Sequence, residues 1–115
     1  MTATLDRLAA IVASRRAADP AESYVAKLFA KGRGKIAQKV GEEAVEAVIA
    51  AVGDDREGLI GESADLLFHL SVLWADMGIT PDDIDAELAR REGVSGIAEK
   101  AARKTEVPKA ETSGD

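Results

Sequence analysis

Residues 42–65 read EEAVEAVIAAVGDDREGLIGESAD. Two acid clusters bracket this stretch: E-E-x-x-E at Glu42, Glu43 and Glu46, then E-x-x-D at Glu62 and Asp65. Between them the residues are mostly Ala, Val, Ile and Leu, broken by Gly53-Asp54-Asp55. Residues three and four apart share a helix face, so each cluster reads as acids on one face of an apolar helix. Gly53 ends the first helix at a C′-like position, and Asp54 or Asp55 caps the next. Helices joined by so short a link pack antiparallel. Glu43 and Glu46 then face Glu62 and Asp65, with Glu46 and Glu62 at similar depth from the turn.

Carboxylates gathered beside an apolar surface are costly unless something neutralises them. A hard divalent cation with oxygen ligands does so, and magnesium (Mg2+) is the first candidate. Such a metal withdraws charge from a phosphoanhydride and helps activate water. A remaining carboxylate then orients that water as a general base. The competing reading is a solvated helix decorated by Glu/Lys pairs such as Lys39 with Glu43. A di-iron bundle needs Glu-x-x-His pairs; Leu66 stands three residues before His69, so that pattern fails. His69 reads as buried or supporting rather than as a ligand.

Working outward, helical signals continue in both directions and no stretch alternates at period two. A first helix is expected over about Leu5 to Ala18, capped by Thr4, with Leu5, Leu8, Ala9 and Val12 along one stripe. Asp19-Pro20 breaks it. A short helix over about Ser23 to Ala30 turns Tyr24, Leu28 and Val25 inward. Gly32-Arg33-Gly34 reads as a flexible link. The third helix runs from about Lys35 to Val52 with an apolar stripe of Ile36, Val40, Ala44, Ala47, Val48 and Ala51. The fourth, about Arg56 to Met77, is apolar on most sides and so expected to be buried on most sides. Gly58 and Gly61 weaken its first turns, which close helix packing would explain. Phe68 and Trp74 read as core or subunit interface. Thr80-Pro81-Asp82-Asp83 starts a fifth helix reaching about Arg91, and Ser95 caps a last one to about Lys104. The fold class is therefore all-α, a bundle of five to six helices completed by homodimerisation. Residues 1–104 form one domain and 105–115 a polar tail.

Composition narrows the chemistry. The 115 residues suit one domain, and the absence of cysteine excludes disulfides and thiolate catalysis. A single histidine, His69, excludes a multi-histidine metal site within one chain. With no signal peptide and no uninterrupted apolar run long enough to span a bilayer, a cytoplasmic protein is expected. The net charge of -6 argues against nucleic-acid binding. Yet between Tyr24 and Gly41 every charged residue is basic: Lys27, Lys31, Arg33, Lys35 and Lys39. Positive charge running into an acid cluster suits a polyphosphate that arrives with its metal.

These residues resemble a known family. Ser23-Tyr24-Val25-Ala26-Lys27-Leu28-Phe29, Lys31-Gly32, Lys35-Ile36, Lys39-Val40-Gly41-Glu42-Glu43-Ala44 and Glu46 are similar to the signature of the phosphoribosyl-ATP pyrophosphatases. Ala64-Asp65-Leu66-Leu67-Phe68-His69-Leu70 and Ser95-Gly96-Ile97-Ala98-Glu99-Lys100 continue it in order, over about Leu5 to Arg103. The acid elements alone point only to the wider all-α nucleotide pyrophosphatases. The S-Y-x-x-K-L-F, K-G-x-x-K-I and S-G-I-x-E-K runs narrow the match. Gly34 stands where that pattern has a polar or acidic residue.

The resemblance implies hydrolysis of phosphoribosyl-ATP to phosphoribosyl-AMP and pyrophosphate, the second step of histidine biosynthesis. It also implies a magnesium requirement, a homodimer, and a downstream cyclohydrolase on a separate protein. Carried over residue by residue, Glu43, Glu46, Glu62 and Asp65 bind magnesium, and Glu42 is a fifth acid, ligand or water-orienting base. Lys27, Lys31, Lys35 and Lys39 contact phosphates, with Arg33, Lys100 and Arg103 as weaker candidates. Two alternatives share parts of this reading: a housecleaning nucleoside triphosphate pyrophosphatase, and a non-catalytic helical dimerisation module.

Overall fold

The computed structural model describes residues 2–93. Those residues form five α-helices and no strand: α1 Ala3–Arg15, α2 Tyr24–Lys31, α3 Arg33–Val52, α4 Arg56–Asp76 and α5 Pro81–Arg91. The expected last helix from Ser95, the tail 105–115, and Lys100 and Arg103 lie outside the described residues. The chain divides into two compact units, Met1–Ile84 and Asp85–Asp115. The first unit contains α1 to α4 and the start of α5. In the second, Glu87 pairs with Arg90 and Arg91 on successive turns of α5, which hold its carboxyl down to about 2.

The helix ends follow from local chemistry. Thr2, not Thr4, caps α1: its Oγ1 accepts from Leu5 N at 3.2 Å. Thr4 already lies inside the helix, and the helix stops at Arg15, short of Ala18. Ser23 caps α2, accepting from Ala26 N at 3.2 Å. The link from α2 to α3 is shorter than expected. Gly32 alone makes it, at φ 96° and ψ 167°, a region open essentially to glycine only. Arg33 and Gly34 already belong to α3.

Two helix ends use the same device. After α3, Asp55 N donates to Ala50 O and Asp54 N to Ala51 O, with Asp54 left-handed at φ 58°. After α4, Ile79 N donates to Trp74 O and Gly78 N to Ala75 O, with Gly78 at φ 74°. Both are Schellman closures. At the first, the left-handed position falls one residue later than expected, on Asp54 rather than Gly53. Asp55 then caps α4, its Oδ1 accepting from Gly58 N at 2.9 Å. At the start of α5, Thr80 and Asp83 cap each other reciprocally: Thr80 N donates to Asp83 Oδ2, and Asp83 N donates to Thr80 Oγ1.

The core of the first unit is small: Val12, Val25, Leu28, Ile36 and Val72, flanked by Leu8, Phe29, Phe68 and Leu73. The α3–α4 pair makes the most extensive packing. Several expected orientations change. Val25 and Leu28 face inward, but Tyr24 is 48 % exposed. On α3, Ile36 is buried, whereas Val48 lies 60 % exposed in a stripe with Val45, Ile49 and Val52. On α4, Val72 is buried but Ile60, Leu67 and Met77 are exposed, so that helix is not covered on most sides by its own chain. Gly58 answers to its cap rather than to helix packing, because a Cβ there would collide with the Asp55 carboxylate. Nothing in the structure explains Gly61, which faces open space.

Candidate active site

Helices α3 and α4 run antiparallel from the Gly53–Asp55 turn. One turn along α3, from Glu46 to Glu43, matches one turn along α4, from Glu62 to Asp65. The same register carries Ile36 opposite Val72, both fully buried in one cluster. It is this apolar contact, reinforced by Leu28 and Val12 from the neighbouring helices, that fixes the helix pair and sets the acids against each other.

Glu43, Glu62 and Asp65 each offer a carboxylate oxygen within 4.8 Å of the others. Glu43 is only 8 % exposed. Glu62 Oε1 is buried and lacks a hydrogen-bond partner. Burial pushes the Glu62 carboxyl up from its ordinary value, and hydrogen bonding to Glu46 with the nearby Glu46 and Glu43 charges pushes it further. Three of the four expected ligands therefore converge. The fourth, Glu46, shares a hollow with Glu62 and opens to the groove that it lines with Gln38, Gly41, Glu42, Val45 and Ile49. An oxygen-only donor set with an orphaned buried carboxylate oxygen fits a hard divalent cation.

Glu42 points elsewhere. Gln38 Nε2 donates to its Oε2 at 2.8 Å, and Lys39 Nζ lies 3.4 Å from its Oε1. Those two contacts, Gln38 foremost, hold its carboxyl below the usual range. Gln38 was not among the expected site residues, although its position four residues before Glu42 is the helical signal for such a pair. Lys39 bridges outward to Glu43 as well, at 3.7 Å.

The basic residues separate into two groups. Lys39 adjoins the acid cluster, Lys35 sits one turn before it and bonds Gln38 Oε1 at 3.2 Å, and Lys27 and Lys31 are exposed on α2. Arg33 is engaged elsewhere: its Nε donates to Asp76 Oδ2 at 2.6 Å, where Arg16 also reaches Oδ1 at 3.5 Å. Asp76 is eleven residues beyond Asp65 on α4, about 16 Å along the axis. Arg33 thus clamps the far end of α4, with Arg16 lying 4.4 Å over the Phe29 ring.

His69 is buried, as expected for a supporting residue. Its Nδ1 lies 2.8 Å from the Asp65 carbonyl oxygen, and its Nε2 lies 3.0 Å from Tyr24 Oη. The link from Tyr24 was not legible in the sequence, since 45 residues separate the partners and no local spacing joins them.

The model of the phosphoribosyl-ATP pyrophosphohydrolase family matches residues 5–92, a span that holds every one of these acids. The chain belongs to this family. Among relatives, the phosphoribosyl-ATP pyrophosphatase of Rhizorhabdus wittichii is 67 % identical over 103 residues, covering 90 % of this chain and 97 % of the relative. That of Rhodospirillum rubrum is 64 % identical over 100 residues, covering 87 % of this chain and 86 % of the relative. That of Azospirillum brasilense is 62 % identical over 103 residues, covering 90 % and 93 %. In this pyrophosphohydrolase-family chain the converging acids lie on two continuous helices rather than on loops.

Proposed function

We propose that this chain hydrolyses phosphoribosyl-ATP to phosphoribosyl-AMP and pyrophosphate, the second step of histidine biosynthesis, as a magnesium-dependent enzyme. Family membership supports the reaction. The convergence of Glu43, Glu62 and Asp65 around an unpartnered buried oxygen is the observation that carries the metal.

Glu43, Glu62 and Asp65 would hold the cation, with Glu46 completing the set from the groove side. Bound there, magnesium would draw charge from the phosphoanhydride and make an attacking water more acidic. Glu46, beside Glu62 on the groove side, would orient that water once the cation claims Glu62. Glu42, ionised and exposed, would stand one turn away as a second acceptor. Lys39, Lys35, Lys31 and Lys27 would receive the phosphates; Arg33, tied to Asp76, would contribute at most through the frame. The domain is taken as residues 1–104. No described helix is long and apolar enough to cross a membrane, which agrees with a cytoplasmic enzyme.

The same reading includes a homodimer. Val45, Val48, Ile49 and Val52 lie at i, i+3, i+4 and i+7 on α3, all more than half exposed. Covering such a stripe would remove apolar surface from water, which supports a two-fold pairing across this face.

The deciding experiment is product analysis with phosphoribosyl-ATP and magnesium, beside ordinary nucleoside triphosphates. Pyrophosphate from phosphoribosyl-ATP alone is the expected result. Cleavage of the ordinary triphosphates instead would move the same site to nucleotide housecleaning.

A further inference from the structure

Phosphoribosyl-ATP carries phosphate on two sides of one purine: a triphosphate on one, a phosphoribosyl group on the other. The lysines divide to match. Lys35 and Lys39 lie on α3, where Lys39 adjoins Glu42 and Glu43. Lys27 and Lys31 are exposed on α2 and make no ion pair among the described residues. Helix α2 leads away from the acids. Its first residue, Tyr24, reaches His69, one turn of α4 past Asp65. Arg33, two residues after Lys31, reaches Asp76, about two turns farther along α4.

Tyr24 stands between the two groups, and its ring is fixed. Its Oη lies 3.0 Å from Nε2 of His69, which is itself buried. Phe68, packed against the core, stacks on it with centroids 5.9 Å apart and planes 19° apart. The His69 ring meets it edge-on at 5.9 Å. Tyr24 is nevertheless 48 % exposed. Its hydroxyl end and one face are covered, so the open surface includes the opposite face. An aromatic ring already immobilised loses little freedom when a planar ligand lies on it. Tyr24, Lys27 and Lys31, at i, i+3 and i+7, share the exposed side of α2, while Val25, Ala26 and Leu28 hold the buried side. Lys27 and Lys31 lie about 4.5 and 10.5 Å from Tyr24 along the helix axis.

We propose that the substrate's purine stacks on Tyr24, with the triphosphate running toward Lys39 and the acid cluster and the phosphoribosyl phosphate running along α2 to Lys27 and Lys31. The proposal rests on the substrate and metal roles given above. It makes the α2 face the selective element: an ordinary nucleoside triphosphate can use the ring and the acids but gives Lys27 and Lys31 no phosphate.

Tyr24 is the only tyrosine in the chain, so its ring protons can be followed by NMR in the unaltered full-length protein. Phosphoribosyl-AMP, which keeps the purine and the phosphoribosyl group, should move those signals upfield through the ring current of the stacked base. Magnesium pyrophosphate, which has no base, should not. Calorimetry on variants completes the test, with thermal melting of each. Tyr24→Leu should bind phosphoribosyl-AMP roughly tenfold more weakly, about 1.4 kcal/mol of stacking, with magnesium pyrophosphate unchanged. Tyr24→Phe keeps the ring and should keep most of the affinity. Lys27→Gln with Lys31→Gln should weaken phosphoribosyl-AMP and leave AMP unchanged. Ring signals that phosphoribosyl-AMP does not move, equal losses of phosphoribosyl-AMP and magnesium pyrophosphate in Tyr24→Leu, or equal losses of phosphoribosyl-AMP and AMP in the lysine variant would overturn the proposal. If Tyr24→Leu fails to fold, the NMR titration decides alone. An upfield shift without hydrolysis of phosphoribosyl-ATP would sink the proposed function and leave the stack standing; hydrolysis with an unmoved ring would do the reverse.

Discussion

In the proposed site, Glu62 is the residue at which folding and metal binding would meet. Its carboxyl is raised above the ordinary value of 4.5, first by burial and then by Glu46 and Glu43. A raised acid binds its proton more tightly in the folded state than in the unfolded one. Stability of the metal-free chain therefore falls as pH rises through the interval above 4.5. Magnesium bound as proposed would replace that proton, so the rise in Tm on adding magnesium should grow with pH across the same interval. Scanning calorimetry at about pH 5 and about pH 7.5, with and without the metal, checks this; an equal rise at both would remove Glu62 from the site. Asp65→Asn and Glu46→Gln should each lower kcat by at least ~100-fold while circular dichroism shows unchanged helix content. Full activity in either variant would take that residue out of the mechanism. These acids were legible before the structure because helix periodicity is a local property. Glu42 was legible only as an acid; its diversion to Gln38 and Lys39 depends on rotamers that spacing does not set. The Arg33–Asp76 pair was not legible, because packing between distant segments brings the partner to it.

At the scale of elements, the helices were readable and their junctions were not. Gly-Arg-Gly at 32–34 carries two glycines, and both suggested a loose link. The chain needs only Gly32 to turn, since a single residue at φ 96° reverses direction and leaves Arg33 free to begin the next helix. Gly32→Ala should accordingly destabilise by about 1–3 kcal/mol, read by urea unfolding. The opposite sign is expected at the next junction. Asp54, not Gly53, holds the left-handed position, and Asp54→Gly should stabilise by about 1 kcal/mol. If Asp54→Gly instead lowers stability, the side chain has a role that backbone strain does not describe. The Asp54/Asp55 pair also shows why caps were predicted only as alternatives: both residues suit a cap, and the register of the closing hydrogen bonds decides between them.

At the scale of the whole molecule, the apolar residues outnumber the places one chain offers to bury them. The hydrophobic pattern marked α4 as buried on most sides, and a single copy leaves Ile60, Leu67 and the α3 stripe in water. Periodicity reports which face is apolar, not which molecule covers it. If the proposed homodimer pairs across the α3 stripe, the chain should sediment as a dimer at micromolar concentration and Ile49→Asp with Val48→Asp should convert it to a monomer while the α3–α4 pairing survives. A variant that stays dimeric would place the interface elsewhere.

The turn at Asp54 has a mechanical consequence. Glu46 and Glu43 stand seven and ten residues before Gly53, about 10 and 15 Å along α3. The turn acts as the pivot of a pair of calipers whose jaws are the carboxylates. Opening the angle between the arms by ~10° would part Glu43 from Asp65 by roughly 2.5 Å, more than a magnesium–oxygen bond of about 2.1 Å. In the proposed site, the jaws that Ile36 and Val72 hold closed would thus pivot, and their gauge change, about a residue that touches neither ion nor substrate.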